Sequence, residues 1–479
     1  MILNDKRIKI FIVTTAGISL LLLLFWLLYD PTQHFFVYRP GMDKLSDSIG
    51  STSTEEVKIG ENFKQFDTYT STFTEKWPGF RGMNYDNILK TSYPINENWD
   101  AKPPKIIWSV ETGEGHAAPA IYNGLVYFID YDEKDKADVL KCFSLETGKE
   151  LWRRWYSVHI KRNHGMSRTI PAVNENYVVT IGPRCHVMCV ERLTGNLLWG
   201  IDLEKQYKTE TPLWYTGQCP LIDNDVAVIA VGGSSLMIGV DCKTGKVLWE
   251  TPNPNNRKMS HSSILPVTIS GKKMYIYASI GSVFGVSAET ADAGKLFWEI
   301  SEWSPSVIAP MPVNLGNNRI FVTGGYGAGG AVIQISGNNG NFSAKLEEKF
   351  GPHEGLASEQ QTPIVYNGRI YGILPKDAGA NRNQFICYDI SDVKKPVWQS
   401  GKTHRYGLGP YMLLNDKFLI LSDEGVLTMI EAEAKAEGFV LVNEKKMLEG
   451  HDAWGPFAFA NGYLLLRDSK KIYCVDLKP

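Results

Sequence analysis

Short apolar runs, each closed by a turn residue, recur along most of this chain. Eight of them follow a proline: Pro119, Pro171, Pro220, Pro266, Pro312, Pro363, Pro410 and Pro456, spaced 46 to 52 residues apart. A turn residue comes three to five positions later, at Asn123, Asn174, Asp223, Ser270, Gly316, Asn367, Asn415 and Asn461. A second series, Trp108, Trp152, Trp199, Trp249, Trp298 and Trp398, keeps step with the first. Two series with one period mean one supersecondary unit copied about eight times.

The first copy shows the unit. Ala120-Ile121-Tyr122 runs into Asn123-Gly124 and then Leu125-Val126-Tyr127-Phe128-Ile129. Two apolar strands joined by Asn-Gly read as a type I′ hairpin. A third strand spans Val139 to Ser144, and a fourth follows the Glu146-Thr147-Gly148 turn and ends at Trp152. A twisted four-stranded sheet cannot bury both faces alone, so the copies stack around an axis. The predicted fold is all-β, an eight-bladed β-propeller. In the last copy the tryptophan slot falls eight residues after Asp476, beyond Pro479. Trp108 stands ahead of the first complete hairpin and supplies the missing outer strand. A ring closed by strands from both ends leaves no long free edge. Ala344 and Phe439 hold the tryptophan slot in the two degenerate copies.

Asp241-Cys242-Lys243-Thr244-Gly245-Lys246-Val247-Leu248-Trp249 resembles the Asp-x-x-Thr-Gly-x-x-x-Trp repeat of the eight-bladed quinoprotein-like propellers. Trp77-Pro78-Gly79-Phe80-Arg81-Gly82 is similar to the lead-in of a bacterial branch of that family. The resemblance implies that Trp108, Trp152, Trp199, Trp249, Trp298 and Trp398 are structural docking residues, each buried on the neighbouring blade. It leaves function open, because the family holds both quinone-dependent dehydrogenases and an outer-membrane assembly scaffold.

Charge narrows the partners. With 50 basic and 52 acidic residues the net charge is −2, and no stretch concentrates lysine and arginine, so no nucleic-acid partner is expected. Lys6, Arg7 and Lys9 precede the uncharged run Ile10 to Tyr29, long enough to cross one hydrocarbon core of roughly 30 Å. Basic residues before the run place residues 1–9 in the cytoplasm. The expectation is a single-pass bacterial inner-membrane protein with its propeller in the periplasm. Residues 30–76, rich in Ser, Thr, Asp and Glu, read as a tether, 77–104 as a lead-in and 105–479 as the propeller. Cys142, Cys189, Cys387 and Cys474 share one strand position in different blades, which argues for small buried residues rather than disulfides. The Gly-x-Gly-x-x-Gly spacing from Gly325 to Gly330 joins two strands, so it reads as a turn rather than a dinucleotide loop.

Candidate chemistry gathers just before the repeat prolines, where the chain crosses from one blade to the next near the axis. His116, Arg168, Trp214, Gln218, His261, Glu359, Arg405, Asp452 and Trp454 lie in these crossings and are the expected ligand-binding ring of an axial mouth. The resemblance implies that a dehydrogenase would stack pyrroloquinoline quinone on a tryptophan, hold calcium with oxygen ligands and use a carboxylate base. Only Glu359 and Asp452 are acids close to the prolines in these crossings, no two cysteines are adjacent, and no Cys-x-x-Cys-His motif occurs. No catalytic residue and no metal site is therefore assigned, and the quinone with calcium enters only under the dehydrogenase reading. The leading expectation is a membrane-tethered, non-catalytic scaffold with a protein partner in or near the cell envelope. The alternatives are a quinone-dependent alcohol or sugar dehydrogenase and a binder of cell-wall glycan or another small ligand at the mouth.

Overall fold

The computed structural model describes residues 5–29, 56–68, 70–432 and 438–479. They fall in two units, Met1–Thr52 and Ser53–Pro479. In the first unit the helix Asp5–Leu28 contains a stretch, Ile8–Leu28, long and apolar enough to cross a membrane. Its two threonine hydroxyls, on Thr14 and Thr15, donate to the carbonyls of Ile10 and Phe11 at 2.8 Å. No polar group of these two side chains is left for an apolar solvent to satisfy.

In the second unit eight antiparallel sheets follow in chain order, each built outward from the strand nearest the axis. The third is typical: Leu221–Asp223, Val226–Ala230, Ser235–Asp241 and Val247–Pro252 pair in that order. The eighth is completed from the N-terminal side, where Lys105–Glu111 pairs antiparallel with Lys471–Asp476 and Trp108 stands opposite Cys474. The ring closes as the repeat predicts.

Each docking tryptophan meets a small residue across its own sheet. Trp152, Trp199, Trp398 and Trp108 face Cys142, Cys189, Cys387 and Cys474, while Trp249 and Trp298 face Gly239 and Gly285. The indole lies over that position: a Cβ on Gly239 would come within 2.2 Å of the Trp249 ring. The ladder slips by one residue just beyond this pair in all six sheets, a recurring bulge that twists the outer strand onto its neighbour. This explains the shared cysteine register. All seven cysteines are buried and free.

The other side of the indole covers the turn of the next blade. Trp108 lies on Gly148, Trp152 on Gly195, Trp199 on Gly245 and Trp249 on Gly294, all four glycines in the left-handed region. Trp108 Nε1 donates to Leu145 O and Trp199 Nε1 to Cys242 O, both at 2.8 Å. Burial is uneven, however. Trp152 is 3% exposed, whereas Trp249 is only half-buried. The strand Asn62–Gln65 adds to the outer edge of blade one and Phe63 packs beside Trp152; among the described residues no such strand covers blade three. Trp152→Ala should therefore cost on the order of 3–5 kcal/mol and Trp249→Ala about 2 kcal/mol. Urea unfolding of the two variants checks that order, and equal losses would contradict it.

Asn62–Gln65 also corrects the tether reading. Residues 30–55 lie outside the described residues, but much of 56–76 is folded against the ring. Ile59 packs toward Gly200 of blade two, and Arg154 donates to Gly60 O at 2.6 Å. The lead-in goes further, into the axis. Lys76–Trp77 pairs with Tyr122 and Ile121 on the inner strand of blade one, and Pro78 O accepts from Val173 N of blade two at 2.7 Å. Phe80 and Tyr85 pack on the cores of the next blades, and Ile88–Leu89 runs parallel to Leu413 and Leu414 of blade seven. The channel is filled by the protein's own chain. Arg81 pins the tip: its guanidinium donates to the carbonyls of Tyr85, Asp86, Thr362 and Pro363 at 2.7 to 3.0 Å. Burial pushes this guanidinium down to about 10, the nearby Tyr411 and Asp86 opposing.

Candidate functional site: the axial mouth

The plug enters from the end carrying the Asn turns, so the opposite end, where the repeat prolines lie, is the mouth. Each crossing strand arrives there from an outer strand and delivers side chains toward the axis. His116 stacks on Trp454 with ring centres 4.6 Å apart, and His164 meets both rings edge-on. Trp214 lies beside His261 at 6.0 Å and stacks on Tyr326 at 5.8 Å. Arg168 ties the two groups together, its Nε donating to Trp214 O at 2.8 Å and its Nη2 to His164 O. Gln361 Nε2 donates to Leu408 O and Trp454 O and holds that wall in place.

The electrostatics favour an anion. Burial pushes Arg168 down to about 10, with the nearby Tyr326 opposing. Burial, then the Arg168 charge, lowers His261 to about 3 and holds His116 well below the ordinary imidazole range. Both imidazoles are therefore neutral at pH 7. Both ring nitrogens of His116, Trp454 Nε1 and Glu359 Oε2 are buried without a hydrogen-bond partner. Such groups are rare enough in a folded interior that each requires an explanation.

Of the expected ring, His116, Arg168, Trp214, His261 and Trp454 meet at the mouth. Glu359 comes to its margin, where its carboxylate pairs with Lys376 at 3.1 Å and packs under Gly325. Asp452 accepts from His451 Nδ1 at 2.8 Å. Gln218 and Arg405 serve the backbone instead. Gln218 exchanges two hydrogen bonds with Ala230 main chain at 2.7 and 2.8 Å, and Arg405 donates to the carbonyls of Ala380 and Arg382 in blade six. Tyr326 and Lys376 were not singled out in the sequence. Tyr326 sits at the tip of the hairpin joining Arg319–Gly324 to Gly329–Asn338, the glycine-rich turn already read as such. Its signal was the single large side chain between Gly325 and Gly327, 40% exposed. A cleft of about 270 Å³ adjoins it, lined by Ser304 to Val307, the Gly325 turn and Lys349.

At the same end, between blades one and two, burial pushes the Asp138 carboxyl up to about 7, against the hydrogen bond it accepts from Tyr156 at 2.6 Å. A carboxyl raised above its unfolded value of 3.8 adds stability at low pH and loses it as pH climbs through 7. Asp138→Asn should thus gain on wild type between pH 4 and 7 and keep a constant advantage above that. Denaturation midpoints at several pH values test this; a gap that does not grow with pH would contradict it.

Quinone and calcium fit this mouth poorly. Trp214 is stacked on Tyr326 and Trp454 on His116, Glu359 is paired to Lys376, and Asp452 to His451. Among the described residues no three His, Cys, Asp or Glu side chains converge as a metal would require.

Comparison with known proteins places the chain between two kinds of propeller. The family described as "Outer membrane protein assembly factor BamB" matches residues 135–400. Quinohemoprotein alcohol dehydrogenase ADH IIB of Pseudomonas putida is 27% identical over 169 residues, 33% of this chain. The chain covers 23% of that enzyme's length. BamB from Moraxella catarrhalis superposes with a TM-score of 0.51 at 9% identity, over 78% of this chain and 99% of that one. A europium-containing methanol dehydrogenase gives 0.55 at 11% identity, over 84% and 98%. At these identities the structures share the fold alone. The family match overturns the inner-membrane placement drawn from the basic N-terminus, since the family is named for an outer-membrane assembly factor. Flanking charge sets the orientation of a helix in whichever membrane it enters. It does not identify that membrane.

Proposed function

We propose a function from one premise: this chain belongs to the BamB outer membrane protein assembly factor family. It is a propeller scaffold, related in fold also to quinoprotein dehydrogenases. On our reading it binds protein partners in or near the cell envelope and does no chemistry itself. The filled axis carries this reading. The segment Trp77 to Leu89 bonds to the inner strands of blades one, two and seven, so the ring presents surfaces rather than a deep cavity. Its rim offers exposed apolar side chains on outer strands, Leu248 at 49% and Val397 at 46%. Aliphatic side chains set singly on a rigid polar rim are serviceable contact points for a partner. Photo-crosslinking residues placed in cells at Leu248, at Val397 and at Leu193, 64% exposed in the turn before the strand Leu197–Asp202, test the proposal. A discrete adduct confined to one or two positions supports it. Uniform labelling, or none at any position, counts against it.

A second reading, a quinone-dependent alcohol dehydrogenase, is favoured by the 27% identity to the Pseudomonas enzyme. It requires the mouth to open, since the stacked rings and the paired carboxylates are committed elsewhere.

A further inference from the structure

Beyond the scaffold reading, we propose that the axial mouth binds a carboxylate-bearing saccharide. Arg168 is the anchor. Two main-chain carbonyls, from Trp214 and His164, fix its guanidinium through Nε and Nη2. Among the described residues no carboxylate forms an ion pair with it. A half-buried guanidinium with donors to spare is built for a bidentate carboxylate. Neutral His116 and His261 beside it add no competing acid, and the Arg168 charge is what helps keep them neutral.

The rings around it decide the rest of the ligand. Trp214 and Tyr326 stack on one another, as do His116 and Trp454. Each pair shares one face, which leaves no slot for a flat aromatic ring to enter. Their outer faces line a shallow opening, with Trp214, His261 and Trp454 each half-buried and His164 exposed. Such faces suit the C–H surface of a sugar ring. A peptide entering along the axis would seek unpaired strand edges, but Lys76–Trp77 and Ile88–Leu89 already occupy those of blades one and seven. The unpartnered nitrogens of His116 and Trp454 stand ready for hydroxyl groups or for the water such groups bring. A saccharide carrying a carboxylate uses all three features at once.

The test is calorimetric titration of the full chain, held in detergent, with a trigalacturonate probe. A neutral trisaccharide and citrate serve as comparisons. Saturable binding of the uronate alone is expected. Arg168→Gln should weaken it about tenfold or more, the size of a lost charge-assisted hydrogen bond, while Arg168→Lys weakens it less. Thermal melts establish that these variants fold. If Arg168→Gln does not fold, the exposed Tyr326→Ala carries the test, with weaker binding and an unchanged melt expected. Equal binding of the neutral sugar would overturn the carboxylate assignment, and equal binding of citrate would overturn the ring contacts. No binding, or binding untouched by both substitutions, would overturn the site. None of these outcomes bears on the rim crosslinks, so this proposal and the scaffold reading fail separately.

Discussion

Arg81→Met is expected to destabilise the second unit by about 3–5 kcal/mol, as loss of a buried hydrogen-bonded charge does. Arg81 is 5% exposed and its guanidinium spends its donors on four carbonyls. Two of these, Thr362 and Pro363, lie some 280 residues away and join the plug to blade six. Methionine fills the space but takes this donor from the carbonyls of Tyr85, Asp86 and Pro363, while Thr362 O keeps the Tyr411 hydroxyl at 3.1 Å. Arg81→Lys should recover only part of the loss, because an ammonium cannot reproduce the planar fork. Urea unfolding gives both values. A loss below about 1 kcal/mol for Arg81→Met would show that the plug is a passenger in the channel rather than part of the fold.

Removing Lys471 to Pro479 should have a larger effect. The deletion takes away the strand that pairs with Lys105–Glu111 and exposes the outer strand of the N-terminal side. It also removes Ile472, Cys474, Val475 and Leu477, each at most 2% exposed. At roughly 1.5–3 kcal/mol for each large apolar side chain, the loss rivals the whole stability of an ordinary domain. The truncated chain should therefore be protease-sensitive and lack a cooperative melt. A melt within a few degrees of wild type would mean that the ring does not depend on its closing strand.

The ring was legible because its unit repeats. Prolines, turn residues and tryptophans recur at one spacing, and a periodic signal survives the loss of single members such as Ala344 and Phe439. Even the cysteine register was visible, although its cause, the indole lying across the strand, needed the pairing of Cys142 with Trp152. The plug was not legible. Lys76–Trp77 and Ile88–Leu89 are two-residue strands, too short to show alternation. The partners of Arg81 are main-chain carbonyls, which any sequence offers. The mouth was readable by address but not by direction. Proximity to a repeat proline picked out His116, Arg168 and Trp454, which lie together at one end of the ring, yet the same criterion included Gln218, whose side chain turns back to Ala230. Tyr326 arrives from a hairpin two blades away from Trp214 and carries no repeat position to mark it.

Most direct for the central claim, a scaffold whose axis is filled by its own chain, is to add pyrroloquinoline quinone and calcium to the purified protein. Melting temperature and reduction of an artificial dye with simple alcohols or sugars are followed together. The scaffold account expects an unchanged melt and no dye reduction. A saturable rise in melting temperature with turnover of an alcohol would contradict it and make the protein a dehydrogenase.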